Sequence, residues 1–297
     1  MKLLVAIPHY FKPKPNSRHS STDGARREQR ARAIKEVILA YRGLFGGTSK
    51  LNINTLKLEP HLGPDIDVQL VVLVQGNDHV LDTEFCKAHQ VSIVQVQVSD
   101  PRLLGFAAQN LLAENRSRFD YFVFCEDDLR IHDALFFHKL QWFNAQFGWR
   151  RLLMPNRVEW NAKIPTVKTY IDGELLPQHI QHFLDAMPDE VFLQATAFLE
   201  PIIFEQTRNP HAGFYALSAE QLRYWMQQPH FRDGDMSFFT PLESSATLGV
   251  MKTFPIYKAY GRDAVFLELE HLDDRYSVYG IPAPSNASSS SKNGPRA

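Results

Sequence analysis

Three consecutive carboxylates, Glu126-Asp127-Asp128, form the sharpest chemical feature of this chain. Adjacent carboxylates repel one another, and a hard divalent cation such as Mg2+ or Mn2+, which takes oxygen ligands, resolves that repulsion. Magnesium is typically held by one or two carboxylates plus substrate phosphates, so a diphosphate would complete the shell. The plainer alternative is a solvated acidic turn ahead of His132. On the cluster alone the two readings weigh evenly. The apolar run directly before it, residues 121–125 (YFVFC), favours a site, because ligands gather beyond the carboxyl ends of buried strands.

A diphosphate needs positive charge, and arginine presents a planar fork to phosphate oxygens. Arg26, Arg27, Arg30 and Arg32 cluster at the start of one helical stretch, where the helix dipole also favours anions. A solvated helix face explains most of them, leaving room for one at a nucleotide. Residues 209–218 (NPHAGFYALS) set a glycine among aromatics, which suits close backbone approach beside a sugar and equally suits a turn between core segments.

These groups need a scaffold. Residues 3–7 (LLVAI) and 68–74 (VQLVVLV) are apolar runs of the kind that form strands buried on both faces. Residues 91–98 alternate and predict a third strand, and 121–125 a fourth. Ser20-Ser21-Thr22-Asp23 offers caps for a helix through Arg42, and apolar spacing predicts helices over 103–115 and 134–147. Strands alternating with helices argue for βαβ units and a parallel sheet. Pro8-His9-Tyr10, Gln75-Gly76-Asn77-Asp78 and the acidic cluster each follow a strand directly, so three strand ends point at one place. The second half is less regular. A strand is expected at 152–154, mixed structure over 190–204, a capped helix over 218–228 and another over 242–253. The tail from 282 to 297, rich in serine, is expected to be disordered.

Composition narrows the field. The chain has 297 residues, 44% of them hydrophobic, which is enough for a sizeable core. A net charge of -1 gives no global field toward nucleic acid or an anionic membrane, so no nucleic-acid partner is expected. Cys86 and Cys125 are too few for a disulfide framework. No run approaches the roughly 18 apolar residues of a transmembrane helix. The expectation is a cytoplasmic chain, with peripheral membrane contact left open.

Residues 105–129 (GFAAQNLLAENRSRFDYFVFCEDDL) resemble the segment leading to the DXD motif in family 2 and related GT-A glycosyltransferases. There a helix with alanine and asparagine precedes a spacer, a hydrophobic strand and an acidic cluster. The resemblance extends over residues 1–130 and is thinner beyond. It implies an α/β GT-A (Rossmann-like) fold, a mostly parallel sheet with helices on both faces in a single domain. It divides the chain into a nucleotide-sugar-binding half, 1–130, and an acceptor-binding and catalytic half, 131–281. The strand ends Pro8, His9, Tyr10, Gln75, Asn77 and Asp78 would cradle the nucleotide, with Arg27 beside it. Because the cluster reads Glu-Asp-Asp, the family's first and third acidic positions fall on Glu126 and Asp128. Asp128 would hold Mn2+ or Mg2+, with Glu126 and Asp127 facing sugar and ribose. His271, in the acidic stretch 268–276 (ELEHLDDRY), matches a late histidine that serves several GT-A families as a metal ligand. Glu243, at a helix start after Thr240-Pro241, matches the general base of inverting members, with Asp233 and Asp235 as competitors.

The implied reaction moves a sugar from a nucleotide diphosphate donor to a hydroxyl of a glycan, lipid or other acceptor, with inversion. Two alternatives stand beside it. A nucleotidyltransferase would share the fold type, but the loop after the first strand (PHYFKPKPNS, 8–17) lacks the glycines its phosphate loop needs. A non-catalytic nucleotide- or glycan-binding protein is the other.

Overall fold

The computed structural model describes residues 1–17, 20–63, 65–161, 167–273 and 275–277; the expected tail lies outside them. The chain begins with β1 (Lys2–Pro8), α1 (Arg27–Phe45), a hairpin of β2 (Ser49–Asn52) and β3 (Lys57–Pro60), then β4 (Asp67–Val74). Next come α2 (Thr83–Ala88), β5 (Val91–Gln95), α3 (Leu104–Glu114), β6 (Tyr121–Cys125), β7 (Leu129–Arg130) and α4 (Phe136–Phe147). β8 (Leu152–Leu153), β9 (Asn156–Trp160), β10 (Lys168–Tyr170), α5 (Pro177–Ala186), β11 (Phe192–Ala197) and β12 (Glu200–Gln206) follow. The described part ends with β13 (Phe214–Ser218), α6 (Ala219–Met226), a helical run over 241–251, β14 (Ile256–Ala259) and β15 (Glu268–His271).

The fold is mixed α/β around a five-stranded sheet ordered β13-β6-β1-β4-β5, parallel except for β13. Consecutive residues of β1, β4 and β6 are buried, including Leu3 to Ile7 and Phe122 to Cys125, so helices must cover both faces. The strand order accounts for this: β1 to β4 to β5 runs one way, and α3 carries the chain back past β1 to β6. The direction of winding reverses between β1 and β6, and ligands bind at such switch points.

Two smaller sheets, β10-β9-β15-β7 and β11-β12-β14-β8, flank this one. The expected mixed segment 190–204 is a hairpin of β11 and β12, and the strand expected over 91–98 ends at Gln95. The helix after Thr240-Pro241 forms with Thr240 as N-cap and Pro241 in its first turn, but Ser244–Leu248 winds as a π-helix. That segment packs hard on α3: a Cβ on Gly105 would meet Ser245 Cβ at 2.6 Å. Close packing at Gly105 is what brings the start of the run, with Glu243, to the carboxyl edge of the sheet. Ser218 and Gln221 form the reciprocal cap expected for α6. Among the described residues no helix is long and apolar enough to cross a membrane.

Candidate active site

Strand register builds the site. β1 and β6 run parallel with Ala6 beside Phe124, so three residues further on His9 lies beside Asp127. β13 runs antiparallel to β6 with Phe214 beside Cys125, which sets Gly213 beside Glu126; the Glu126 N–H donates to Gly213 O at 2.9 Å. β15 pairs β7 with His271 beside Leu129, and the Leu272 N–H donates to Asp128 O at 2.9 Å. β9 runs parallel to β15 with Val158 beside Glu270, so Glu159 comes beside His271. Four pairings thus converge on the acidic turn after β6.

Each carboxylate of that turn has a different environment. Asp127 is spent on protein partners: Oδ2 bonds His9 Nδ1 and Oδ1 accepts from Arg30 Nη2. His9 is 1% exposed, and its Nε2 accepts the Val80 N–H at 3.2 Å. That leaves the proton on Nδ1, pointed at Asp127. Burial works against the Asp127 anion, but the Arg30 charge and the His9 bond outweigh it and hold its carboxyl well below the usual range. Asp128 is half-spent: Oδ2 accepts from Arg30 Nη1 at 2.7 Å, while Oδ1 is buried without a hydrogen-bond partner. Glu126 is pushed up to about 7, by burial first and then by the Asp128 charge.

His271 Nδ1 donates to Glu159 Oε1 at 2.8 Å, and its Nε2 lies 3.9 Å from Asp128 Oδ2. Glu159 is fully buried and also accepts the N–H groups of Tyr276 and Ser277. Burial disfavours the His271 cation, yet the Glu159 bond and the Asp128 charge raise its pKa overall. Arg157 is fixed by Asp172, which Lys258 also contacts at 2.7 Å. Beside it His211 bonds Thr247 Oγ1 at 2.9 Å, and burial followed by the Arg157 charge drives its pKa well below the ordinary value.

Arg30, Arg157 and His211 line one cavity of about 600 Å³, with Glu159, Asp172 and Lys258 behind its wall. Pro8, His9, Tyr10, Glu126, Asp127, Asp128, Glu243 and His271 are all on its wall. Asp233 and Asp235 are not, because both pair with Lys252, at 3.0 and 2.6 Å. Four residues expected at the nucleotide also lie off the wall. Gln75 donates its amide to Val98 O, and Asn77 closes a turn through its carbonyl. Asp78 holds Lys12 at 3.0 Å and accepts the Phe11 N–H, so it shapes the loop after β1 from behind. The Arg27 guanidinium lies over the Phe11 ring.

Arg30, not Arg27, is the arginine of α1 on the wall. The signal was present: Arg30 precedes Ile34, Val37, Ile38 and Tyr41 by four, seven, eight and eleven residues, the spacing of the buried face. Arg157 and Glu159 have no local signal, because the pairing of β9 with β15, more than 100 residues further on, places them, whereas His211 falls in the 209–218 stretch singled out in the sequence.

Among the described residues no group of three or more His, Cys, Asp or Glu is gathered as a ready metal site. Two protein ligands do fit: the unpartnered Asp128 Oδ1 and the His271 Nε2, the latter ring fixed by a carboxylate on its other nitrogen as metal-binding histidines are. Two ligands plus donor phosphates suffice for Mg2+ or Mn2+.

No protein-family model matches the chain, and no curated protein matches it. Among solved structures, the chain is similar to glucosyl-3-phosphoglycerate synthase from Mycobacterium tuberculosis in complex with phosphoglyceric acid: 18% identity, TM-score 0.37, covering 74% of this chain and 57% of that one. The same enzyme with Mn2+, uridine-diphosphate-glucose and phosphoglyceric acid gives 17% identity and a TM-score of 0.35 at the same coverage. The chain thus spans little more than half the length of that enzyme.

Proposed function

We propose that this protein is a glycosyltransferase of the GT-A type that moves a sugar from a nucleoside diphosphate sugar to an acceptor hydroxyl, with a divalent metal. The support comes from the chain's own residues. The observation that carries the reading is the nearness of Asp128 and His271 at the switch point of a parallel sheet, on the wall of a cavity of about 600 Å³: His271 Nε2 lies 3.9 Å from Asp128 Oδ2, and the other carboxylate oxygen, Oδ1, is buried without a hydrogen-bond partner.

In this reading Asp128 Oδ1 and His271 Nε2 hold Mn2+ or Mg2+, which when bound would neutralise charge on the departing diphosphate. Pro8, His9 and Tyr10 flank the nucleotide. Arg30, which replaces Arg27 in this role, adds fixed positive charge next to the diphosphate. Glu126 faces the sugar, and Gly213 lets the backbone of β13 approach it. Glu243 takes the proton from the acceptor hydroxyl as its oxygen bonds to the anomeric carbon and the bond to the diphosphate breaks. Attack from the Glu243 side would invert that carbon. Gln75, Asn77 and Asp78 support the nucleotide loop indirectly. Residues 1–130 supply most of the donor side and 131–281 the acceptor side, in a chain with no expected nucleic-acid partner.

The test is a panel of nucleoside diphosphate sugars, assayed for binding and hydrolysis with and without Mn2+. Metal-dependent binding of at least one, lost in Asp128→Asn, is the expected result. If no nucleotide sugar binds or turns over with metal present, the reading fails. Binding without any turnover across a broad acceptor panel would favour a non-catalytic binding protein.

A further inference from the structure

The four oxygens of Asp127 and Asp128 are unequally used. Two are held by Arg30, one by His9, and only Asp128 Oδ1 is left over. Arg30 is itself 7% exposed, and its Nε is buried without a partner. It rises from the apolar stripe of α1, whose Ala33, Ile34 and Val37 are buried in the core. Burial and its bonds to both aspartates hold the guanidinium on the cluster.

This arrangement has an electrostatic consequence for a metal ion. Two aspartates carry two negative charges and Arg30 returns one positive charge, so these three groups together offer an arriving divalent ion about one negative charge where the aspartates alone would offer two. It would share the Asp128 carboxylate with a fixed cation on the other oxygen. Arg157, also on the cavity wall, is paired with Asp172 at 2.8 Å and not with either aspartate of the turn. A diphosphate would supply the missing anionic oxygens, and it would also offer an acceptor to the unpartnered Arg30 N–H.

Resting on the metal-dependent reading above, we propose that Arg30 is a built-in counter-cation that keeps the acidic turn from binding a divalent ion alone, so that the ion and a nucleoside diphosphate bind as a mutually dependent pair. Linkage makes the dependence reciprocal: the factor by which nucleotide tightens metal is the factor by which metal tightens nucleotide. Arg30 acts here as a positioning residue and a gate on metal affinity. A purely structural Arg30 would give the opposite sign on removal, since loosening the turn weakens metal binding.

The experiment is Mn2+ titration of the full chain followed by electron paramagnetic resonance, alone and with UDP, GDP or ADP, for the wild type, Arg30→Gln and Arg30→Lys. In the wild type at least one nucleoside diphosphate should tighten Mn2+ tenfold or more. Arg30→Gln should bind Mn2+ alone at least tenfold more tightly than the wild type, with the nucleotide effect reduced. Arg30→Lys keeps the charge and should stay within a few-fold of the wild type for Mn2+ alone. A folded Arg30→Gln that binds bare Mn2+ no more tightly than the wild type overturns the inference. Should Arg30→Gln not fold, the wild type decides: tight Mn2+ binding that no diphosphate improves overturns it equally. A wild type that binds no Mn2+ under any of these conditions overturns the metal-dependent reading itself, and this inference with it.

Discussion

His271 and Glu159, 112 residues apart in sequence, are joined by a 2.8 Å hydrogen bond from the imidazole Nδ1 to the carboxylate. That bond fixes which nitrogen is free and aims Nε2 at Asp128. If His271 holds a metal, Glu159 governs its orientation and basicity. Glu159→Gln should therefore weaken Mn2+ binding in the presence of nucleoside diphosphate by about 10–100-fold. The measurement is Mn2+ affinity, with a thermal melt to show that the fold survives. Unchanged affinity would remove His271 from the ligand set.

The contrast between His271 and Glu159 shows what could be read from the sequence. His271 sits in an acidic stretch that drew attention to it. Glu159 sits in NRVEW, an unremarkable strand, and becomes buried only because β9 pairs with β15. The strands β1, β4 and β6 were legible because buried parallel strands are continuous apolar runs. Their order in the sheet was not, because pairing joins segments far apart, as when β13 lies against β6. Arg30 was legible in principle, by helical spacing, whereas its grip on Asp127 and Asp128 required the register of β1 on β6. The π-turns at Ser244–Leu248 left no mark in an apolar pattern that fits an ordinary helix.

Glu126 makes stability depend on pH in a direction opposite to that of most carboxylates. Burial and the Asp128 charge hold it up at about 7 against an ordinary 4.5. Between those values the folded chain keeps a proton that the unfolded chain has lost. The contribution of this group is therefore intact below about pH 4.5 and declines as pH rises to about 7. Glu126→Gln abolishes the decline. In metal-free buffer the variant should gain about 1–3 kcal/mol on the wild type at pH 8 and show no gain near pH 4.5. Urea unfolding at both values measures this. A constant difference between the two proteins across pH would contradict it.

Gly213 has φ +59, and a Cβ there would lie 2.7 Å from the Glu126 carboxyl carbon. Left-handed backbone and lack of space act together: the first strains any Cβ-bearing residue here, and the second is relieved only by moving the Glu126 carboxylate. Gly213→Ala should cost about 1–3 kcal/mol from the backbone alone, and more from displacement of the carboxylate. Gly173, whose Cβ would meet nothing within 4 Å, supplies the control: Gly173→Ala should stay within about 0.5 kcal/mol of the wild type. Denaturant midpoints for the two variants decide the matter, and equal effects would argue against a tight fit at Gly213.

Among the described residues Asp172 is the one acidic side chain paired with two buried cations, accepting from Arg157 Nε at 2.8 Å and from Lys258 Nζ at 2.7 Å. Burial works against the Asp172 anion, but Arg157 and then Lys258 outweigh it and hold its carboxyl at about 2. Removing the carboxylate would leave two cations in a region from which water is largely excluded. Lys258 can shed its proton in response, and burial already lowers its pKa, whereas Arg157 cannot. Asp172→Ala is therefore expected to destabilise the fold by about 3–5 kcal/mol, and Asp172→Asn by less, because the amide still accepts one hydrogen bond. Adding Lys258→Met to Asp172→Ala should recover part of the loss, since only one unpaired cation then remains. A double-mutant cycle in denaturant measures the coupling. If the double variant is no more stable than Asp172→Ala, Lys258 is not strained by loss of its partner, and the cost lies with Arg157 and the cavity wall it forms.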